Sequence, residues 1–177
     1  NFTKIRLRGT MLHEPEDGYA ATSEMRGIYV DVFYMDNVPD NWFQSRMQYV
    51  LAKYYLCYQL AQRTYKQTTF KKKLMIAFAA PLQIGFIRRA VVRFIDKFNR
   101  EETARLGFYY GRTRCKTAIV SRRIYGTPKY VPFEDTELPV PENYHEYLTQ
   151  MFGDYMKLPP EEQRRGFHLI SVDFGQY

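Results

Sequence analysis

Cysteine and histidine are scarce in this chain: two cysteines and three histidines among 177 residues. Cys57 sits in a helical pattern and Cys115 in a basic stretch. Neither has a second thiol or a histidine at ligand spacing, so neither a disulfide nor a zinc site can be inferred. A reducing, cytoplasmic setting is the simpler expectation. His13, His145 and His168 are scattered, and a lone histidine is more often a hydrogen-bonded structural group than a base, so none is assigned acid–base work. Long apolar runs are missing too, since the uncharged stretch at 74–87 falls short of the ~20 residues a spanning helix needs. No secretory leader is visible; the chain opens on Asn1 and enters a strand-like segment at 2–7 at once, which reads as the middle of a protein. Acidic residues are outnumbered, 19 against 26 Lys and Arg, leaving a net charge of +7 and a pI near 9.3. That balance points to anionic partners: nucleic acid, phosphorylated small molecules, an anionic polymer or a membrane surface. Charge alone does not choose among them, and with no RNA-binding or helix-turn-helix signature no specific nucleic acid is expected.

What the chain does have is apolar content. At 45% hydrophobic it is not disordered, and its length suits one globular domain over residues 1–177. Sixteen tyrosines and 13 phenylalanines could stack on bases or sugars, though such residues more often fill core and surface. The most informative stretch is GIYVDVFYMDNVPDN at 27–41. Its β-branched and aromatic residues predict a strand over 27–35, with Tyr29, Asp31, Phe33 and Met35 on one face. Asp31 therefore lies inside a strand, where a carboxylate asks for a partner, either a metal or substrate cation or one of the many Lys and Arg side chains. A turn follows, with Asp40 or Asn41 as the N-cap of a helix predicted over 42–66, whose apolar positions recur at three- and four-residue spacing. This helix is expected to cover one face of a sheet.

From residue 70 to residue 97 a second apolar stretch, kinked by Pro81 and surrounded by Lys71, Lys72, Lys73, Arg88, Arg89, Arg93 and Lys97, reads as a helical hairpin with a solvated basic face. Its alternative is an interfacial helix pair beside anionic headgroups, giving peripheral contact at the inner face of a membrane. Short strands or buried turns are predicted at 108–110 and 118–120. Arg112, Arg114, Lys116, Arg122 and Arg123 lie between and beside them, able to hold a pyrophosphate through charge-assisted hydrogen bonds or to form a solvated face. Residues 129–141 read as extended chain because of their prolines, and a short helix follows from Pro141 to Met151, ended by Gly153.

The segment LPVPENYHEYLTQMFGDYMKLPPE at 138–161 resembles the C-terminal signature of the LicD family, and residues 27–41 resemble that family's central strand motif, about a hundred residues upstream. The resemblance implies an α+β fold, a nucleotidyltransferase-like mixed sheet flanked by helices, of which this chain is the C-terminal portion. It implies transfer of phosphocholine or a related phospho-alcohol from a CDP-linked alcohol donor to a glycan or lipid-linked glycan acceptor at the cell surface; the fukutin-related members are similar in using a CDP-ribitol donor. In such folds carboxylates on neighbouring strands hold a divalent metal, Mg²⁺ or Mn²⁺, that bridges the phosphates. Asp31 matches the third carboxylate, and Asp36 matches a recurrent family aspartate that either touches metal or caps the following turn. Asp154, Arg164, Arg165, His168 and Asp173 lie in or after the C-terminal signature and could line the substrate pocket, as could Arg112, Arg114, Arg122 and Arg123. The family's glycine-containing stretch and Asp-rich strand are not in this sequence, so the principal metal pair is expected in a preceding part of a longer enzyme, and the chain alone is expected to be unstable. A non-catalytic protein binding a membrane surface or anionic polymer is the alternative.

Overall fold

The computed structural model describes residues 2–13, 27–62, 70–110, 114–164 and 171–176. In chain order its first elements are β1 (Phe2–Arg6), β2 (Met11–His13), β3 (Tyr29–Phe33), β4 (Asp36–Val38), α1 (Trp42–Gln62), α2 (Phe70–Ala79) and α3 (Gly85–Asp96). Then come β5 (Arg105–Gly107), α4 (Cys115–Ala118), β6 (Ile119–Ser121), β7 (Lys129–Phe133), β8 (Thr136–Val140), α5 (Tyr144–Phe152) and β9 (Ser171–Asp173). These elements divide into two compact units, residues 1–34 with 156–177 and residues 35–155. Every strand pairing among the described residues is antiparallel.

In the first unit β1 pairs with β3 and β2 with β9. Thr10 ties the turn after β1 to the start of β3, its hydroxyl donating to Leu7 O at 2.8 Å and accepting from Ile28 N at 2.9 Å. Arg6 adds a bond from Nη1 to Gly27 O at 2.9 Å. A two-stranded ribbon cannot bury both faces, and Ile5, Val30, Val32 and Phe33 all stay exposed on β1 and β3. The strand expected over 27–35 is shorter than predicted: it ends at Phe33, and Asp36–Val38 is a separate strand of the second unit.

The second unit is built around three helices and a small sheet of order β4-β5-β6. Helix α1 starts where the turn predicted it, Asn41 Oδ1 accepting from Gln44 N at 3.1 Å. Its most buried face is Ser45, Gln48 and Ala52, not the aromatic stripe that the spacing favoured; Trp42 and Phe43 are exposed, while Tyr49, Tyr54, Tyr55 and Tyr58 are half-buried against the core. That core is Val38, Ala52, Leu82, Val91, Ile95, Tyr109 and Ala118. Helix α1 packs mainly on α2 and α3. Pro81 falls in a 3₁₀ turn, Ala80–Gln83, and the chain bends by 91° between α2 and α3. No single helix among the described residues is long and apolar enough to cross a membrane, although the bent pair passes that test by length and composition together.

Residues 129–141, expected to be extended, form the hairpin β7–β8, with Phe133 opposite Thr136 and a two-residue loop, Glu134-Asp135. Pro132 and Pro139 are tolerated because both strands are edges. Helix α5 ends on Gly153, φ +74°, whose N–H reaches Thr149 O at 2.9 Å, as the glycine signal predicted. Glu134 is the one non-glycine residue with positive φ among those described, at +51°, at a turn position that favours glycine. Replacement Glu134→Gly should therefore raise stability by about 0.5–1 kcal/mol in a thermal or urea melt, despite glycine's added freedom in the unfolded chain.

Candidate functional site

Register places Asp31 on β3 directly opposite Lys4 on β1. The Lys4 ammonium lies 3.5 Å from Asp31 Oδ1, with both side chains roughly one-third exposed, and it also sits over the Tyr29 ring, 3.1 Å from the centroid. The Arg6 guanidinium is 4.9 Å from the same centroid. Of the two partners the sequence allowed, a protein cation is the one present. A pair of which each side chain is about one-third exposed is worth at most about 1 kcal/mol.

Asp36 has the opposite environment. It begins β4, is fully buried, and does not cap the turn before α1, one of the roles left open for it; that role belongs to Asn41. Its Oδ1 accepts from Asn99 Nδ2 at 2.8 Å, and its Oδ2 has no hydrogen-bond partner among the described residues. Burial raises its pKa, the Asn99 hydrogen bond opposes the shift, and the nearby Asp96 carboxylate adds to it. Asn99 completes the clamp by accepting Asn37 N–H at its Oδ1, 2.7 Å.

Around this carboxylate lies a polar cluster, buried at Gln48 and Tyr109 and half-buried at Thr103 and Arg122. Gln48 Nε2 donates to Asn37 O and to Ile95 O, each at 3.0 Å, and Gln48 Oε1 accepts from Tyr109 OH at 2.8 Å. Burial first, then the Asp36 charge, push the Tyr109 hydroxyl well above the usual tyrosine range. Thr103 Oγ1 accepts Val38 N–H at 3.1 Å and donates to Arg105 O at 2.7 Å. Arg122 donates from Nε to Thr103 O at 2.7 Å and from Nη2 to Asn37 Oδ1. Thus one of the predicted phosphate-binding arginines already braces β4 with two of its donors.

The other candidates are more dispersed. Arg122 and Arg123 line an open groove with Ser121, Tyr125, Gly126 and Leu106. Arg123 is exposed and pairs with Glu146 at 3.1 Å, and Arg114 is exposed just before α4. Asp154 is exposed after α5. Arg164, in the first unit, donates to Pro159 O at 2.7 Å and lies 4.0 Å from Glu161. Asp173 Oδ1 accepts Gly175 N–H at 2.8 Å, and His145 Nδ1 bonds the Tyr155 hydroxyl at 2.9 Å. Arg112, Arg165 and His168 lie outside the described residues. Asp31 and Asp36 belong to different units. No group of three or more His, Cys, Asp or Glu among the described residues is arranged to hold a metal ion. Sequence reasoning missed Gln48, Asn99, Thr103 and Tyr109. The one readable signal was the lone Gln48 on a helix face otherwise closed by small residues.

Comparison with known proteins gives a relative. The chain is similar to the lipopolysaccharide cholinephosphotransferase LicD of Haemophilus influenzae, 27% identical in an alignment 155 positions long that covers 80% of this chain and 55% of LicD. It therefore spans about half the length of the curated relative it matches. The aligned share supports a relationship to LicD-type proteins. No family model matches the chain, and no solved structure matches it.

Two substitutions test the cluster. A Cβ on Gly107 would lie 2.5 Å from the Tyr109 ring, which Gln48 holds in place, so Gly107→Ala should cost about 1–3 kcal/mol in a chemical denaturation. Asp36 tests the electrostatics. Its folded pKa lies above the ordinary 3.8, so the native state holds more protons than the unfolded one between those values, and stability falls as pH rises through that window. We expect Asp36→Asn to lie within about 1 kcal/mol of wild type at pH 7, and wild type to gain on the variant as pH falls toward 4 in parallel thermal melts.

Proposed function

We propose that this chain is part of a LicD-type transferase that moves phosphocholine, or a related phospho-alcohol, from a CDP-linked donor to a cell-surface glycan or lipid-linked glycan. The carrying observation is the 27% identity to LicD over 80% of the chain. A nucleotidyltransferase-like arrangement belongs to the same reading. In such a transfer the acceptor hydroxyl attacks the phosphorus that carries the alcohol. The bond from that phosphorus to the bridging oxygen breaks, cytidine monophosphate leaves, and the hydroxyl proton passes to a base. The protein must then supply cationic contacts to a diphosphate and a carboxylate at the reacting end.

Both kinds of group occur among the described residues, the arginines in the second unit and Asp31 in the first. Arg122 and Arg123 border one groove, and Arg123's exposed pair with Glu146 can be exchanged for phosphate at little cost. Asp31, about one-third exposed, is ion-paired with Lys4, so a ligand cation would have to displace that lysine. The described residues do not complete a metal site by themselves. A divalent ion, Mg²⁺ or Mn²⁺, would need further ligands besides the described residues.

Calorimetric titration of the purified full-length protein with CDP-choline and CDP-ribitol, in Mg²⁺ and in chelator, tests this reading. Binding of one donor in Mg²⁺, weakened at least about tenfold by Asp31→Asn with the melt unchanged, supports it. A folded protein that binds neither donor overturns the proposed donor class, and donor binding that Asp31→Asn leaves intact removes Asp31 from the site.

A further inference from the structure

Between Asp40 and Asp96 the chain has no acidic residue, and that 55-residue interval holds ten Lys and Arg. Taking those ten from 26 leaves 16 basic residues against all 19 acidic ones elsewhere, so the positive charge of the protein is concentrated here. Within the interval, Phe70, Leu74 and Phe78 recur every four residues and so share one face of α2. They are 81, 64 and 62% exposed. Ile84 and Phe86 continue the apolar surface past the bend, 49 and 67% exposed. Lys71 and Lys73, one on each side of the α2 stripe by helical geometry, are exposed, as are Arg89 and Arg93 on α3. The inner side is anchored by Ala79 and Leu82, which are buried, while Phe78, at the edge of the stripe, also meets Tyr54 edge-on at 4.9 Å.

We propose that α2, the turn at Ala80–Gln83 and the start of α3 form an in-plane docking surface for a bilayer containing anionic phospholipid. The apolar stripe enters the boundary between headgroups and acyl chains, and the Lys and Arg rim meets lipid phosphates. Charge selects this occupant. A second copy of the chain on the same face would bring two cationic rims together, whereas an anionic headgroup layer neutralises them while accepting the phenylalanines. The ten residues of α2 are too few to span a bilayer but suit a helix lying in its surface. This inference stands apart from the transferase reading, since it involves no donor and no acceptor.

Flotation of the purified full-length protein with vesicles of phosphatidylcholine, with and without about a third phosphatidylglycerol, tests it. Wild type should float with the anionic vesicles alone, and increasingly less as salt rises. The variant F70S/L74S/F86S should need at least about tenfold more lipid for half-binding, and so should K71E/K73E/R89E, both with wild-type circular dichroism and melting. F70L/F86L, which keeps the apolar surface, should bind like wild type. Failure of wild type to float overturns the proposal. So does unchanged flotation of the serine variant, which would mark a purely electrostatic surface of the kind that binds a polyanion. Loss of a dimer in light scattering with no loss of flotation overturns it in favour of a second copy.

Discussion

The carboxamide of Asn99 holds β4 by both side chain and backbone, donating to Asp36 and accepting the N–H of Asn37. A strand of three residues cannot hold itself in place, and the rest of its bonding comes from side chains that converge on it. Gln48 comes from α1, Thr103 from the segment before β5, and Arg122 from the turn after β6. Each such bond contributes only about 1 kcal/mol net, while losing one partner would strand a buried acceptor at a cost of about 1–3 kcal/mol. The network is therefore stable as a set and fragile in its members. It also explains why α1 turns Ser45, Gln48 and Ala52 inward: only a small-residue face with one amide lets the helix approach β4 closely enough for Gln48 to reach Asn37 O, Ile95 O and Tyr109.

How much of this was legible in the sequence depends on whether the signal is local. The Asn41 cap, the break at Pro81, the extended 129–141 segment and the glycine stop at Gly153 were all readable, because each rests on a residue's own backbone preference. The face of α1 was not. Aromatic side chains surround that helix, and the choice among faces was made by polar groups distant in sequence. Nor was the end of β3: β-propensity runs unbroken from Tyr29 to Met35, and nothing in those residues announces that the chain leaves one unit for the other after Tyr34. Arg122 shows the limit for charged residues. Composition allowed it a phosphate or a solvated face, and two of its donors are instead engaged by Thr103 and Asn37.

Asp31 and Asp36 sharpen the same point, since they are five residues apart in one motif and differ in burial and in partner. Asp31 is about one-third exposed and ion-paired with Lys4, although its Oδ1 makes no hydrogen bond among the described residues. Asp36 is buried with one oxygen bonded and the other without a hydrogen-bond partner among the described residues, so its ionised form is the expensive one. A group that must bind or release a cation needs the first environment, and one that must stay put or hold a proton needs the second. On that criterion Asp31 is the carboxylate suited to ligand chemistry. Asp36 belongs with Asn99 and Gln48, fixing the strand on which the second unit's sheet is built. A motif can fix which residues occur together. Solvation decides which of them can act.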